Sequence, residues 1–123
     1  MLTHLLLGTD DLEKSHQFYD AFLGALGIAP GVFMEVGGQQ RYLWNPDGLR
    51  FMVGKPRDGT PTTHYNGFTV GFKADSPEQV LQAVDAALAH GGIVIEDPPG
   101  WRSGNGPKRF AAYLRDPSGQ RSV

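Results

Sequence analysis

Apolar positions recur along this chain in two rhythms. Residues 3–7 alternate weakly and are mostly apolar, which predicts a strand ended by Gly8. Asp10 or Asp11 then caps a helix, with Glu13 three residues after Asp10. Leu12, Tyr19, Phe22, Leu23 and Leu26 share one helical face, and Gly27 stops the run. Three short strands follow at 32–36, 40–44 and 49–53, separated by Gly37-Gly38 and by Asn45-Pro46-Asp47-Gly48. Residues 55–66 are polar, contain proline and lack periodicity, so they read as a connector.

The plan then repeats. Residues 68–72 predict a strand. Ser76, Pro77 and Gln79 form a capping box with Pro at the first helical position. Val80, Leu81, Val84, Ala87 and Leu88 give the apolar face, which Gly91-Gly92 ends. A strand at 93–95, an irregular loop at 97–107 and strands at 110–114 and 120–123 close the chain. The hairpins share the pattern Tyr-Leu-x-Asx-Pro-x-Gly-x-Arg: Tyr42-Leu43-Trp44-Asn45-Pro46-Asp47-Gly48-Leu49-Arg50 against Tyr113-Leu114-Arg115-Asp116-Pro117-Ser118-Gly119-Gln120-Arg121. Both carry turn chemistry, Pro setting φ early and Gly tolerating positive φ late. The chain is therefore read as one domain in two βαβββ modules, 1–56 and 67–123, joined by a linker at 57–66. The fold class is α+β, with the two modules forming a half-barrel cleft and the helices outside.

Composition narrows the classes. The 123 residues carry a net charge of −2, so no basic surface points to nucleic acid or to a membrane. Cysteine is absent, which excludes disulfides, thiolate metal sites and a thiol nucleophile. The run Leu5-Leu6-Leu7 is too short for a signal peptide or a span, so a cytoplasmic protein is the expectation. No phosphate-binding loop, dinucleotide fingerprint or nucleophile–base pair is visible; residues 100–107 are Gly-rich without strand-loop-helix order.

Residues 3–8 with Asp11-Leu12 and Phe18-Tyr19, residues 69–74, and residues 112–120 resemble the vicinal oxygen chelate superfamily. That superfamily includes glyoxalase I, the bleomycin and fosfomycin resistance proteins and extradiol dioxygenases, and the chain looks closest to its small bacterial glyoxalase-like members. The resemblance implies a small-molecule ligand in the cleft and a homodimer. It also implies metal ligands on the first and last strands of each module. Here those positions are His4, Met52, Thr69 and Val123. Only His4 is a ligand type for a hard or borderline divalent ion, so no complete metal site is expected. His64, Asn66 and the α-carboxylate of Val123 are the groups that could add to it, and a solvated loop and a frayed end are the simpler readings of them.

Other expected cleft residues are Tyr42, Trp44, Trp101, Phe110 and Tyr113, with Lys55, Arg50, Arg102 and Arg109 as cations for an anionic ligand. Which sheet face is concave is open at this level. His16 and His90 read as solvated. The favoured function is metal-independent small-molecule binding, with no cofactor and no assigned catalytic residue. One alternative is a metal-dependent lyase/isomerase or dioxygenase with His4 as a ligand, and the other is a structural or regulatory module with a filled cleft.

Overall fold

In the computed structural model all residues except Asn105 are described, and the loop reading for 97–107 lies outside the described residues at that position. The first module runs β1 (His4–Gly8), α1 (Leu12–Ala25), β2 (Val32–Val36), β3 (Gln39–Trp44) and β4 (Arg50–Gly54). The second runs α2 (Pro77–Ala89), β5 (Ile93–Arg102), β6 (Arg109–Arg115) and β7 (Arg121–Ser122). The sheets are ordered β1-β4-β3-β2 and β5-β6-β7, and neither closes on itself. The α+β reading holds. No described helix is long and apolar enough to cross a membrane.

Helix starts follow the sequence signals. The Asp11 carboxylate accepts from the Lys14 amide, and the Ser76 hydroxyl accepts from the Gln79 amide, with Pro77 in the first turn. The faces differ in detail from expectation. Phe18, Tyr19, Phe22 and Leu23 of α1 are buried, as are Ala83, Val84 and Ala87 of α2. Leu81 and Leu88 point to solvent instead, because the stripe rotates onto the alanines. The helices pack on each other and share one core with one face of each sheet.

Two strand readings change. The expected strand at 68–72 survives as a single parallel bridge, Val70 to Ser122, with the Phe72 amide donating to the Val123 carbonyl. The expected loop after residue 95 is instead the continuation of β5, interrupted by a register break between Ile95 and Gly100. Pro98 and Pro99 lack amide donors, and they are accommodated because β5 is an edge strand bulged at that place.

The first-strand and last-strand registers repeat faithfully. Leu5 pairs with Phe51, and the equivalent Val70 pairs with Ser122. The hairpins do not. Trp44 pairs with Phe51 in the first module, whereas Leu114 pairs with Ser122 in the second. Identical hairpin spacing is thus folded with a register differing by one residue. In a pleated strand such a slip exchanges the two faces.

Candidate functional site

The face of each sheet turned away from the helices is the place to look. In the first module Leu5, Leu7, Phe51 and Val53 enter the core, so His4, Leu6, Arg50 and Met52 take the open face. In the second, Val70, Ala112 and Leu114 enter the core, which puts Thr69, Tyr113, Arg115 and Arg121 on the open face. The repeated arginines Arg50 and Arg121 thereby occupy equivalent places, opposite the first-strand positions His4 and Thr69.

The register slip decides where the expected aromatics go. Tyr42 and Trp44 are not in the cleft. They pair with Val53 and Phe51 and face α1, Trp44 being only 1% exposed. The indole Nε1–H donates to Asp20 Oδ1 at 3.0 Å. The Tyr42 ring stacks on His16 with centroids 3.7 Å apart, and its hydroxyl donates to Glu13. His16 itself bridges Glu13 at 3.0 Å and Asp20 at 2.8 Å, so it is a packed connector rather than a solvated residue. Hydrogen bonds from His16 and Tyr42 hold the Glu13 carboxyl below its ordinary value. Phe110 likewise lies on the helix side, lining a cavity under α2. Trp101 is exposed, edge-on to Phe110 with Lys108 over its ring, and stands away from the open face.

Tyr113 lies on the open face, flanked by two arginines. The Arg121 guanidinium sits 4.6 Å from its ring centre and the Arg102 guanidinium 6.0 Å from it. Glu96 Oε2 accepts from Arg121 Nη2 at 2.6 Å and from Nε at 3.1 Å. Glu96 adopts φ of 62°, unusual for a residue with a Cβ, at the β5 bulge that turns it toward this arginine. The remaining Arg121 nitrogen, Nη1, donates to the Thr69 hydroxyl. Arg115 donates to the Gly119 carbonyl at 2.8 Å and is thereby held at the same end of the strands. Beside them is a hollow of about 380 Å³ lined by His64, Asn66, Phe68, Thr69, Arg115 and Arg121. The basic character of this hollow was not legible from net charge, since the chain as a whole is acidic.

The expected metal quartet is not brought together as a ligand set. His4 is exposed, its Nδ1 2.9 Å from the Thr3 hydroxyl. Met52 is buried on the open face, offering only a thioether. The Thr69 hydroxyl is held by a guanidinium, which repels a dication, and Val123 contributes no side-chain donor. Among the described residues no three His, Cys, Asp or Glu side chains converge to hold an ion. His64 and Asn66 do reach the hollow beside Thr69, but they add no carboxylate. The residues present therefore do not fit a divalent ion.

Behind the site, the linker and the second turn are tied to β1. Gln120 donates to the Thr63 carbonyl, and the Asp10 carboxylate accepts from the Thr62 amide. Asp116 is buried, accepting from the Tyr19 hydroxyl at 2.6 Å and from the Ser118 and Gln120 amides. Burial pushes its carboxyl above the ordinary value, and those hydrogen bonds offset the effect only in part.

Comparisons with known proteins agree with this architecture. The sequence model of the Glyoxalase/Bleomycin resistance protein/Dioxygenase superfamily matches residues 1–122. The crystal structure of a glyoxalase/bleomycin resistance protein from Albidiferax ferrireducens T118 is 45% identical, with TM-score 0.92 over 99% of this chain and 95% of that one. A glyoxalase/bleomycin resistance protein/dioxygenase family enzyme from Burkholderia phytofirmans PsJN shares the fold at 16% identity, with TM-score 0.67 over 98% of this chain and 93% of that one. A lactoylglutathione lyase from Agrobacterium tumefaciens does so at 19% identity, with TM-score 0.61 over 99% of this chain and 90% of that one. No curated protein matches the sequence. With its paired modules, its repeated first- and last-strand register and a match spanning almost every residue, this chain belongs to the glyoxalase/bleomycin resistance protein/dioxygenase superfamily.

Proposed function

We propose that this protein binds a small aromatic anion on the open face of the second module, without a metal ion. The observation that carries the reading is Arg121. It lies over Tyr113, is oriented by Glu96 and Thr69, and opens onto a hollow that also receives Arg115 and His64. A planar guanidinium presents a forked donor to a carboxylate or phosphate, and a neighbouring phenol ring offers a stacking surface. Volume and mixed lining suit a ligand of one or two rings. The metal-dependent lyase/isomerase and dioxygenase alternatives need a Lewis acid, and the donor set opposes them.

The test is a thermal-shift and calorimetric series with benzoate, phthalate and phenyl phosphate. A ligand at a hundred times its dissociation constant should stabilise by about 2.7 kcal/mol. Arg121→Ala should abolish that stabilisation while leaving the fold intact. Stabilisation by neutral analogues alone, or equal binding by Arg121→Ala, would overturn the reading. We propose also that two copies associate through the first sheet, where Leu6, Val32 and Val36 are exposed. Light scattering of Val32→Lys and Val36→Lys variants should then report a monomer.

A further inference from the structure

The second module holds a space that its counterpart fills. Superposing the helices by their sequence spacing puts Ala83 at the place of Phe18, Val84 at Tyr19 and Ala87 at Phe22. The hairpin slip puts Ala112 at the place of Tyr42 and Leu114 at Trp44. Small side chains thus replace large ones on both walls, and a cavity of about 340 Å³ remains between α2 and β6. Its floor is apolar: Phe22, Ala83, Val84, Ala112 and Leu114 are all nearly inaccessible. Its sides are Leu26, Phe72, Val80 and Phe110. At its rim stand Lys73 and Arg109, neither in an ion pair among the described residues.

We infer that this cavity is a second ligand site, on the helix side of the sheet, for an amphiphilic anion with a medium-length hydrocarbon tail. An apolar interior of this size is in the range of small-molecule sites. The tail displaces nothing that is hydrogen-bonded there, because the floor is alkyl and phenyl. Lys73 and Arg109 are the charged side chains among the cavity's described lining residues, and they favour an anionic head group. The site is separate from the Arg121 hollow, with which it shares no described lining residue.

The probes are hexanoate, octanoate, decanoate and decanol, titrated by calorimetry into the full-length protein. Affinity should rise about fourfold per added methylene until the cavity is full. Decanoate should bind more tightly than decanol, and the Lys73→Ala/Arg109→Ala double variant should erase that difference. Ala83→Leu, which refills the position held by Phe18 in the first module, should weaken decanoate at least tenfold. Ala112→Val serves the same purpose should Ala83→Leu fail to fold. Arg121→Ala should leave decanoate affinity unchanged, which keeps this site distinguishable from the one proposed above. No binding of decanoate, no dependence on chain length, or loss of binding in Arg121→Ala rather than in the filled variants would overturn the inference.

Discussion

Tyr42 and Tyr113 occupy the same place in two copies of one sequence pattern and face opposite sides of their sheets. Tyr42 stacks on His16 under α1, while Tyr113 lies in the open beneath Arg121. The difference begins at the turn. Six residues separate the paired Trp44 and Phe51, whereas five separate the paired Arg115 and Arg121. In the second turn Asp116 draws the chain tight, its carboxylate accepting from the Ser118 and Gln120 amides and from Tyr19. Asn45 makes no such side-chain cap, and its turn goes round through Asp47 and Gly48 at positive φ. One residue of slip moves an aromatic out of the core and a methyl group in. It produces both the stacked arginine on one face and the cavity on the other. A duplicated module can therefore acquire an arginine-bearing open face and a void by a single change of register.

The comparison can be broken at its packed end first. Trp44→Ala removes a buried indole and one of the two donors to Asp20 Oδ1, the Gly31 amide being the other, and should cost about 3–5 kcal/mol in urea unfolding. Leu114→Ala, at the equivalent place in the second module, should cost less, about 2 kcal/mol, because a void already borders that side chain. Equal losses would mean that the two cores are packed alike.

The tight turn comes next. Tyr19→Phe strips one hydrogen bond from the buried Asp116 carboxylate and should cost about 1–3 kcal/mol. The same carboxyl predicts a pH effect. Its folded-state value lies above the ordinary 3.8, so the native state binds the proton more readily than the unfolded chain does between the two values. The contribution of Asp116 to stability therefore grows as pH falls from neutrality through the raised value, and is complete below the unfolded one. Stepped-pH unfolding of wild type and Asp116→Asn should show the wild type gaining on the variant as pH falls over that window. A gap that moves the other way would show that the hydrogen bonds outweigh burial.

The smallest stability effect belongs to the open face. Glu96→Gln breaks a partly exposed pair with Arg121 and should change stability by no more than about 1 kcal/mol. It should nevertheless raise affinity for an aromatic carboxylate, since it removes the anion that competes for the guanidinium. Calorimetry that found weaker binding would show Glu96 to be needed for positioning instead.

Much of the fold was legible because the punctuation is chemical. Asp11, Ser76 and Pro77 start helices, and the two Asx-Pro-x-Gly turns place the hairpins. The register slip was hidden by equal spacing, although a signal existed. Trp44 must enter a core and takes Tyr42 with it, whereas Arg115 must stay out and holds Tyr113 with it. The strength of the repeat obscured that contrast. Continuation of β5 past two prolines was not legible, because tolerance of proline depends on being an edge strand, which is a property of the assembled sheet. The unfitness of the metal quartet could be read from residue types alone. The guanidinium standing beside Thr69 could not, since it depends on strand pairing across the module.

The central claim is that Arg121, and not a metal ion, holds the ligand. Its most direct test is the thermal shift given by an aromatic carboxylate such as phthalate to protein exhaustively treated with a chelator. The account predicts that the shift persists undiminished after chelation and is lost in Arg121→Ala. A shift that vanishes on chelation, returns with one equivalent of a divalent ion and requires His4 would contradict it.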